Sequence, residues 1–138
     1  MKSLKSQAAK KLSGSIKVPG DKSISHRALM FGGLAVGETR IEGLLEGEDV
    51  LATAKALQTL GVRVEKMSGG HWSVQGRGVS GLREPEDVLD MGNSGTAARL
   101  FMGVLAAHPF SATISGDASL SARPMGRVMR PLEKMGAV

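Results

Sequence analysis

Val18-Pro-Gly-Asp-Lys-Ser-Ile-Ser-His-Arg27 decides how the rest of the chain is read. Just before it, Ser15-Ile16-Lys17-Val18 alternates like a short strand and stops at the turn dipeptide Pro19-Gly20. From Ser23 the spacing predicts a helix with Ile24, Ala28, Phe31 and Ala35 on one face. A strand, a glycine turn and a helix start leave free backbone N–H groups and a partial positive charge at one point. Such a point attracts phosphate or carboxylate. Lys22 adds a compact charge and Arg27 a planar fork, and Ser23 shares a helix face with Arg27 at i and i+4. The glycine spacing is not that of a Walker A loop. On spacing alone the segment reads equally well as a capped surface helix with solvated charges.

Working outward, Thr39 to Gly43 reads as a strand, and Gly47-Glu48-Asp49 opens a second helix with Asp49 as its N-cap. Val50, Ala54, Leu57 and Leu60 form its apolar stripe and Gly61 ends it. Val62 to Lys66 and Trp72 to Gln75 form a hairpin across Ser68-Gly69-Gly70. A third helix begins near Thr96 with Ala97, Leu100, Phe101, Val104 and Leu105 inward. The strand Ala112 to Ser115 follows, then a helical stretch from Pro124 carrying Val128, Leu132 and Met135. The segment opened by Gly47-Glu48-Asp49 and closed by Leu60-Gly61-Val62 is echoed by one opened at Gly116-Asp117 and closed at Met135-Gly136-Ala137. A unit of about 70 residues therefore recurs. The second copy stops without the hairpin that follows the first, so the chain reads as cut.

Two more helix starts carry candidate chemistry. In Asp90-Met-Gly-Asn-Ser-Gly-Thr-Ala-Ala-Arg99, two glycines bracket Asn93 and Ser94 directly before a helix, which lets a ligand approach the backbone. By itself this is an ordinary glycine turn with a Thr96 N-cap. In Gly116-Asp-Ala-Ser-Leu-Ser-Ala-Arg-Pro-Met125, Arg123 stands before a proline, a residue preorganised for a helix start. Three anion-friendly helix starts in so short a chain point to a small, multiply anionic substrate.

Composition narrows the field. The 138 residues fit one domain and include no Cys, which excludes disulfides and thiolate chemistry. No run approaches the ~18 apolar residues of a membrane helix. The net charge of +5 resides mostly in a tail: Lys2, Lys5, Lys10 and Lys11 have no acid among them. Without those four, the remaining 14 bases barely outnumber the 13 acids. A nearly neutral body argues against a broad nucleic-acid surface. The first 14 residues hold no apolar signal region, so cytoplasmic residence is the expectation. Residues 1–13 read as a flexible basic tail and residues 14–138 as the folded part. His26, His71 and His108 are too scattered for a metal site. The eight Met residues suit helix packing, and Glu84, Glu86 and Asp87 read as a solvated loop cluster.

Taken together, the three segments resemble the 5-enolpyruvylshikimate-3-phosphate synthase family, the 3-phosphoshikimate 1-carboxyvinyltransferases. Val18 to Arg27 looks like that family's N-terminal signature, Asp90 to Thr96 its second and Arg123-Pro-Met-Gly126 its third. The wording of Gly20 to Arg27 and of Phe31-Gly-Gly-Leu-Ala35 resembles the bacterial class II branch. The resemblance implies an α/β fold, a partial lobe of the two-lobed enolpyruvyl transferase architecture built from repeated βαβαββ units. It also implies a reaction: the enolpyruvyl group of phosphoenolpyruvate passes to the 5-hydroxyl of shikimate 3-phosphate, releasing phosphate, with no cofactor and no metal.

The residue roles are likewise those the resemblance implies. Lys22 contacts both substrates and stabilises developing charge. Ser23 and Arg27 hold the shikimate moiety, Arg27 by its carboxylate. Gly95, flanked by Asn93 and Thr96, lies against phosphoenolpyruvate, and Arg123 pairs with that ligand's anionic groups. A glycine at 95 leaves room for glyphosate, where a bulkier residue crowds it, so a glyphosate-sensitive type is expected. Family members are far longer, so this chain is expected to be an N-terminal portion, a truncated second unit following a first. A missing C-terminal portion is its expected partner, and it is expected to be inactive alone. Two other readings stay open: a UDP-N-acetylglucosamine enolpyruvyl transferase relative and a small basic RNA-binding module. Scarce aromatics weigh against the latter, because base stacking needs aromatic platforms.

Overall fold

A computed structural model describes residues 3–138; Met1 and Lys2 of the basic tail lie outside the described residues. Residues 3–20 carry no helix or strand, and all but Gly20 are exposed. The strand expected at Ser15 to Val18 is therefore not formed. An extended segment needs a neighbour for its N–H and C=O groups, and no described strand runs beside this one.

Asp21 begins the ordered fold. Its carboxylate accepts the Ile24 N–H at 2.8 Å and caps α1, Lys22–Leu34. The expected buried face of this helix is wrong: Ile24 and Phe31 are each 68% exposed. The buried residues are Ser25, His26, Leu29, Met30, Gly32 and Gly33. Absent side chains explain the rotation. A Cβ on Gly32 would stand 3.2 Å from Val74 Cβ and 3.3 Å from Thr39 Cβ, and one on Gly33 would stand 3.0 Å from Leu57. The helix packs closely through its glycines beside Leu29 and Met30, so Ile24 and Phe31 face outward.

The partner surface is an antiparallel sheet of β1 (Val36–Ile41), β2 (Arg63–Lys66) and β3 (Trp72–Arg77), in the order β1-β3-β2. Val74 sits opposite both Thr39 and Val64, so these three share the face that meets the helices. Glu38, Arg40, Arg63, Glu65 and Gln75 line the opposite, polar face. There Ser73 donates to Glu38 at 2.8 Å. The expected hairpin is present, with Gly69 and Gly70 at φ of +83° and +77°.

Helix α2, Glu48–Thr59, buries Val50, Ala54 and Leu57, and Leu60 follows them into the core. Its N-cap is Gly47 and not Asp49, because Asp49 lies inside the first turn with its carboxylate turned to Lys22. Gly61, at φ +86°, ends the helix: its N–H reaches Gln58 O while the Val62 N–H reaches Leu57 O.

The second copy of the unit contains β4 (Leu89–Asp90) and β5 (Ile114–Ser115), paired in parallel and joined through α3 (Gly95–Leu105). A single-turn helix α4 (Ala118–Ser121) and then α5 (Gly126–Lys134) complete it. Helix α5 starts after Pro124, since Arg123 to Met125 make the turn away from α4. The repeat seen in the sequence returns as geometry. Gly136, at φ +98°, donates to Glu133 O while Ala137 donates to Leu132 O, the same closing pattern as at Gly61. One apolar cluster runs from Leu29 and Val74 through Leu57 to Phe101 and Leu120, so both copies share a core. Among the described residues Trp72 and Phe101 are its buried aromatics, with Phe110 packed against it, and Leu, Val, Ala, Met and Ile41 supply the rest.

Candidate functional site

At the start of α1 the expected cations are gathered but differently engaged. Lys22 Nζ donates to Asp49 Oδ2 at 2.8 Å, bringing the first turns of α1 and α2 together. Arg27 folds back and its guanidinium donates through one nitrogen to the Ser23 carbonyl at 3.0 Å, while the residue stays exposed. Ser25, behind them, accepts from the Leu45 N–H and donates to the Asp21 carbonyl, tying the 43–47 loop to the helix start. Gly20 has no room for a side chain, because a Cβ would run into the Gly43 carbonyl.

A second cluster forms at the start of α3. Its N-cap is Ser94, whose hydroxyl accepts the Ala97 N–H at 3.2 Å, so the cap expected at Thr96 falls two residues earlier. Thr96 sits in the first turn, half-buried. Asn93 is the hub. Its Oδ1 accepts from Arg123 at 2.6 Å and its Nδ2 donates to Asp117 at 2.7 Å. Asp117 in turn caps α4 through the Leu120 N–H. The Asn93 amide, and after it the Leu120 N–H, hold the Asp117 carboxyl below the usual carboxylate range.

Gly95 opens α3 beneath two guanidiniums. A Cβ there would stand 2.9 Å from the Nη1 atoms of both Arg123 and Arg99. Arg99 had no role in the sequence reading. It donates to the Gly95 carbonyl at 3.2 Å and to the Pro124 carbonyl at 3.4 Å, and its buried Nε has no partner. The signal for it was the i, i+4 relation to Gly95, which repeats the relation of Arg27 to Ser23. Among the described residues, none of Arg27, Arg99 and Arg123 is in a salt bridge. Asp117 lies near enough for the Arg123 charge to act on it, yet forms no ion pair with it. Guanidiniums without an ion pair at a helix N-terminus suit an anion.

The structure thus brings Asn93, Gly95, Thr96 and Arg123 together, and Lys22, Ser23 and Arg27 together. No hydrogen bond or ion pair among the described residues joins the two groups. No cluster of three His, Asp or Glu side chains among the described residues is arranged to hold a metal. A groove of about 730 Å³ lies at the far end of α3, lined by Leu105, Phe110, Ile114 and Leu132, away from every one of these cations.

A model of the family described as EPSP synthase (3-phosphoshikimate 1-carboxyvinyltransferase) matches residues 6–138. The chain belongs to that family. The 3-phosphoshikimate 1-carboxyvinyltransferase of Parvibaculum lavamentivorans is 65% identical over 135 residues, which are 98% of this chain and 30% of that protein. The enzyme of the same name from Acidiphilium cryptum is 65% identical over 127 residues, 92% of this chain and 28% of that protein. A solved EPSP synthase from Acinetobacter baumannii superposes with a TM-score of 0.86 at 50% identity, covering 91% of this chain and 28% of the other. The fold is thus that of a partial α/β lobe of EPSP synthases, and the chain spans about 30% of the length of the curated relatives it matches.

Proposed function

We propose that the chain supplies one side of an enolpyruvyl transfer site for phosphoenolpyruvate and shikimate 3-phosphate. The 5-hydroxyl of the acceptor gives up its proton to a base and its oxygen bonds to C2 of phosphoenolpyruvate as C3 takes a proton. The tetrahedral product then loses phosphate from C2 and a proton from C3, restoring the enol ether. The chain's part is electrostatic. Lys22 stabilises charge on the phosphate that will leave, and Ser23 and Arg27 hold the acceptor. Asn93, Gly95, Thr96 and Arg123 receive phosphoenolpyruvate.

The observation that carries this reading is Gly95 lying under two guanidiniums that form no salt bridge among the described residues, at a helix N-terminus. A trianionic ligand supplies the missing charge, and the absence of a Cβ gives it room. The same space supports sensitivity to glyphosate. The rest of the site belongs to a C-terminal portion, the partner of residues 14–138; residues 1–13 form an accessory basic tail. No helix among the described residues is long and apolar enough to cross a membrane, and the water-borne substrates fit a cytoplasmic setting.

The test is phosphate release from the two substrates by the purified chain, alone and with the remainder of the Parvibaculum lavamentivorans relative expressed separately. Release only from the mixture is expected. A folded remainder that binds the chain without turnover overturns the proposal.

A further inference from the structure

Lys22 and His26 stand one turn apart on α1, and Asp49 and Thr53 stand one turn apart on α2. The two pairs face each other as rungs. The outer rung is the Lys22–Asp49 ion pair at 2.8 Å, with the lysine side chain 51% exposed. The inner rung is His26 Nδ1 to Thr53 Oγ1 at 2.7 Å, between side chains that are fully buried. The Thr53 hydroxyl also lies 3.4 Å from the Asp49 carbonyl oxygen, so the inner rung reaches the backbone of the residue that forms the outer one.

An exposed ion pair contributes little stability by itself, so the helix spacing that lets Lys22 reach Asp49 must be set elsewhere. The Asp49 end of α2 also lacks a side-chain cap, because its N-cap is Gly47. The first buried polar tie along that end is the one Thr53 makes to His26. A buried hydrogen bond is costly to leave unmade, so it fixes the separation of the two helices more firmly than the surface pair does.

We infer that His26 and Thr53 are positioning residues for Lys22: their buried hydrogen bond seats the Asp49 end of α2 against α1 and so sets where the Lys22 ammonium waits for an anionic ligand. The value of that position to catalysis rests on the transferase reading, whereas the position itself does not.

The test has two arms. In the 138-residue chain with ¹³Cε-labelled lysine, wild-type Lys22 gives a resolved, inequivalent pair of Hε signals. Asp49→Asn and Thr53→Val both collapse that pair toward one averaged signal, and Thr53→Ser retains it. A Lys22 signal unchanged in a folded Thr53→Val chain overturns the proposal. Should that variant not fold, an unchanged signal in Asp49→Asn does the same. In the enzyme reassembled with the relative's remainder, Thr53→Val lowers kcat about tenfold while both KM values move less than about threefold. Thr53→Ser restores kcat. A loss that serine does not restore, or one confined to KM, overturns the positioning role. An inactive wild-type reassembly sinks the transferase reading and leaves the spectroscopic arm to decide the rung.

Discussion

Asn93 and Arg123, thirty residues apart, are joined by a 2.6 Å hydrogen bond from the guanidinium to the amide oxygen. The same amide donates to Asp117, the cap of α4, at 2.7 Å. Arg123 also donates to the Ser119 hydroxyl at 3.3 Å, so two neutral side chains set the arginine without an ion pair. A carboxylate in that place would hold Arg123 as firmly but would cancel the charge an anion needs.

That arrangement predicts an asymmetry in the reassembled enzyme. Arg123→Ala weakens phosphoenolpyruvate binding by roughly tenfold or more, the scale of a lost charge-assisted hydrogen bond, and shikimate 3-phosphate binding far less. Asn93→Asp, which keeps the shape and adds a negative charge, follows the same pattern. Calorimetric titration of each substrate checks it, and equal losses for both would remove the assignment of Arg123 to phosphoenolpyruvate.

Gly95→Ala separates space from stability. The nearest atoms to the added methyl belong to two flexible arginine side chains, and alanine favours helix by up to ~1 kcal/mol over glycine. The variant is expected to unfold within about 1 kcal/mol of wild type in urea. In the reassembled enzyme it binds phosphoenolpyruvate more weakly and is inhibited by glyphosate only at higher concentration. Unchanged inhibition would mean that the ligand does not lie over Gly95.

Gly32, Gly33 and Gly76 make room for close packing, and they mark where the sequence could be read and where it could not. The stripe of α2 was readable because its large apolar residues are the buried ones. On α1 the same rule chose the wrong face, because contact there runs through Gly32 and Gly33, whose contribution is the absence of a side chain. Periodicity counts residues that fill space and is blind to those that make room. Phe31→Ser is accordingly expected to change stability by less than about 0.5 kcal/mol, as exposed sites do. Gly76→Ala, whose Cβ would strike the Gly32 and Ala35 carbonyls, costs more than about 2 kcal/mol. Urea titration of the two variants decides it, and a reversed order would restore the face read from periodicity.

The candidate site was readable to a different depth. Motif spacing gave the residues that line each helix start, since Lys22, Ser23, Arg27 and Gly95 are local to one turn. It gave neither the Asn93 bridge nor the Lys22–Asp49 pair, which join segments 24 and 27 residues or more apart and exist only once the chain has folded. Arg99 escaped for a similar reason. Its importance comes from reaching the Pro124 carbonyl of a later turn, 25 residues on.

The buried imidazole of His26 gives the fold a pH dependence whose sign is fixed. Burial, the dominant cause, pushes its pKa below the ordinary 6.5, and the nearby Lys22 and Arg27 charges push the same way against the pull of Asp49. In the unfolded chain the imidazole takes a proton as pH falls through about 6.5, while the folded chain resists until a lower pH. Stability is therefore expected to fall as pH drops below about 6.5, with a slope of at most ~1.4 kcal/mol per pH unit from this one group. The lowered carboxyls of Asp117, Glu38 and Glu46 act in a separate window. Their contribution is present above about pH 4 and is lost as pH falls through their lowered folded values. Urea unfolding of the 138-residue chain between pH 5 and 7 isolates the histidine. His26→Asn should flatten the slope there whatever it does to stability overall. A slope that survives the substitution would assign the effect to another group and mean that His26 binds its proton equally in the folded and unfolded chains across that range.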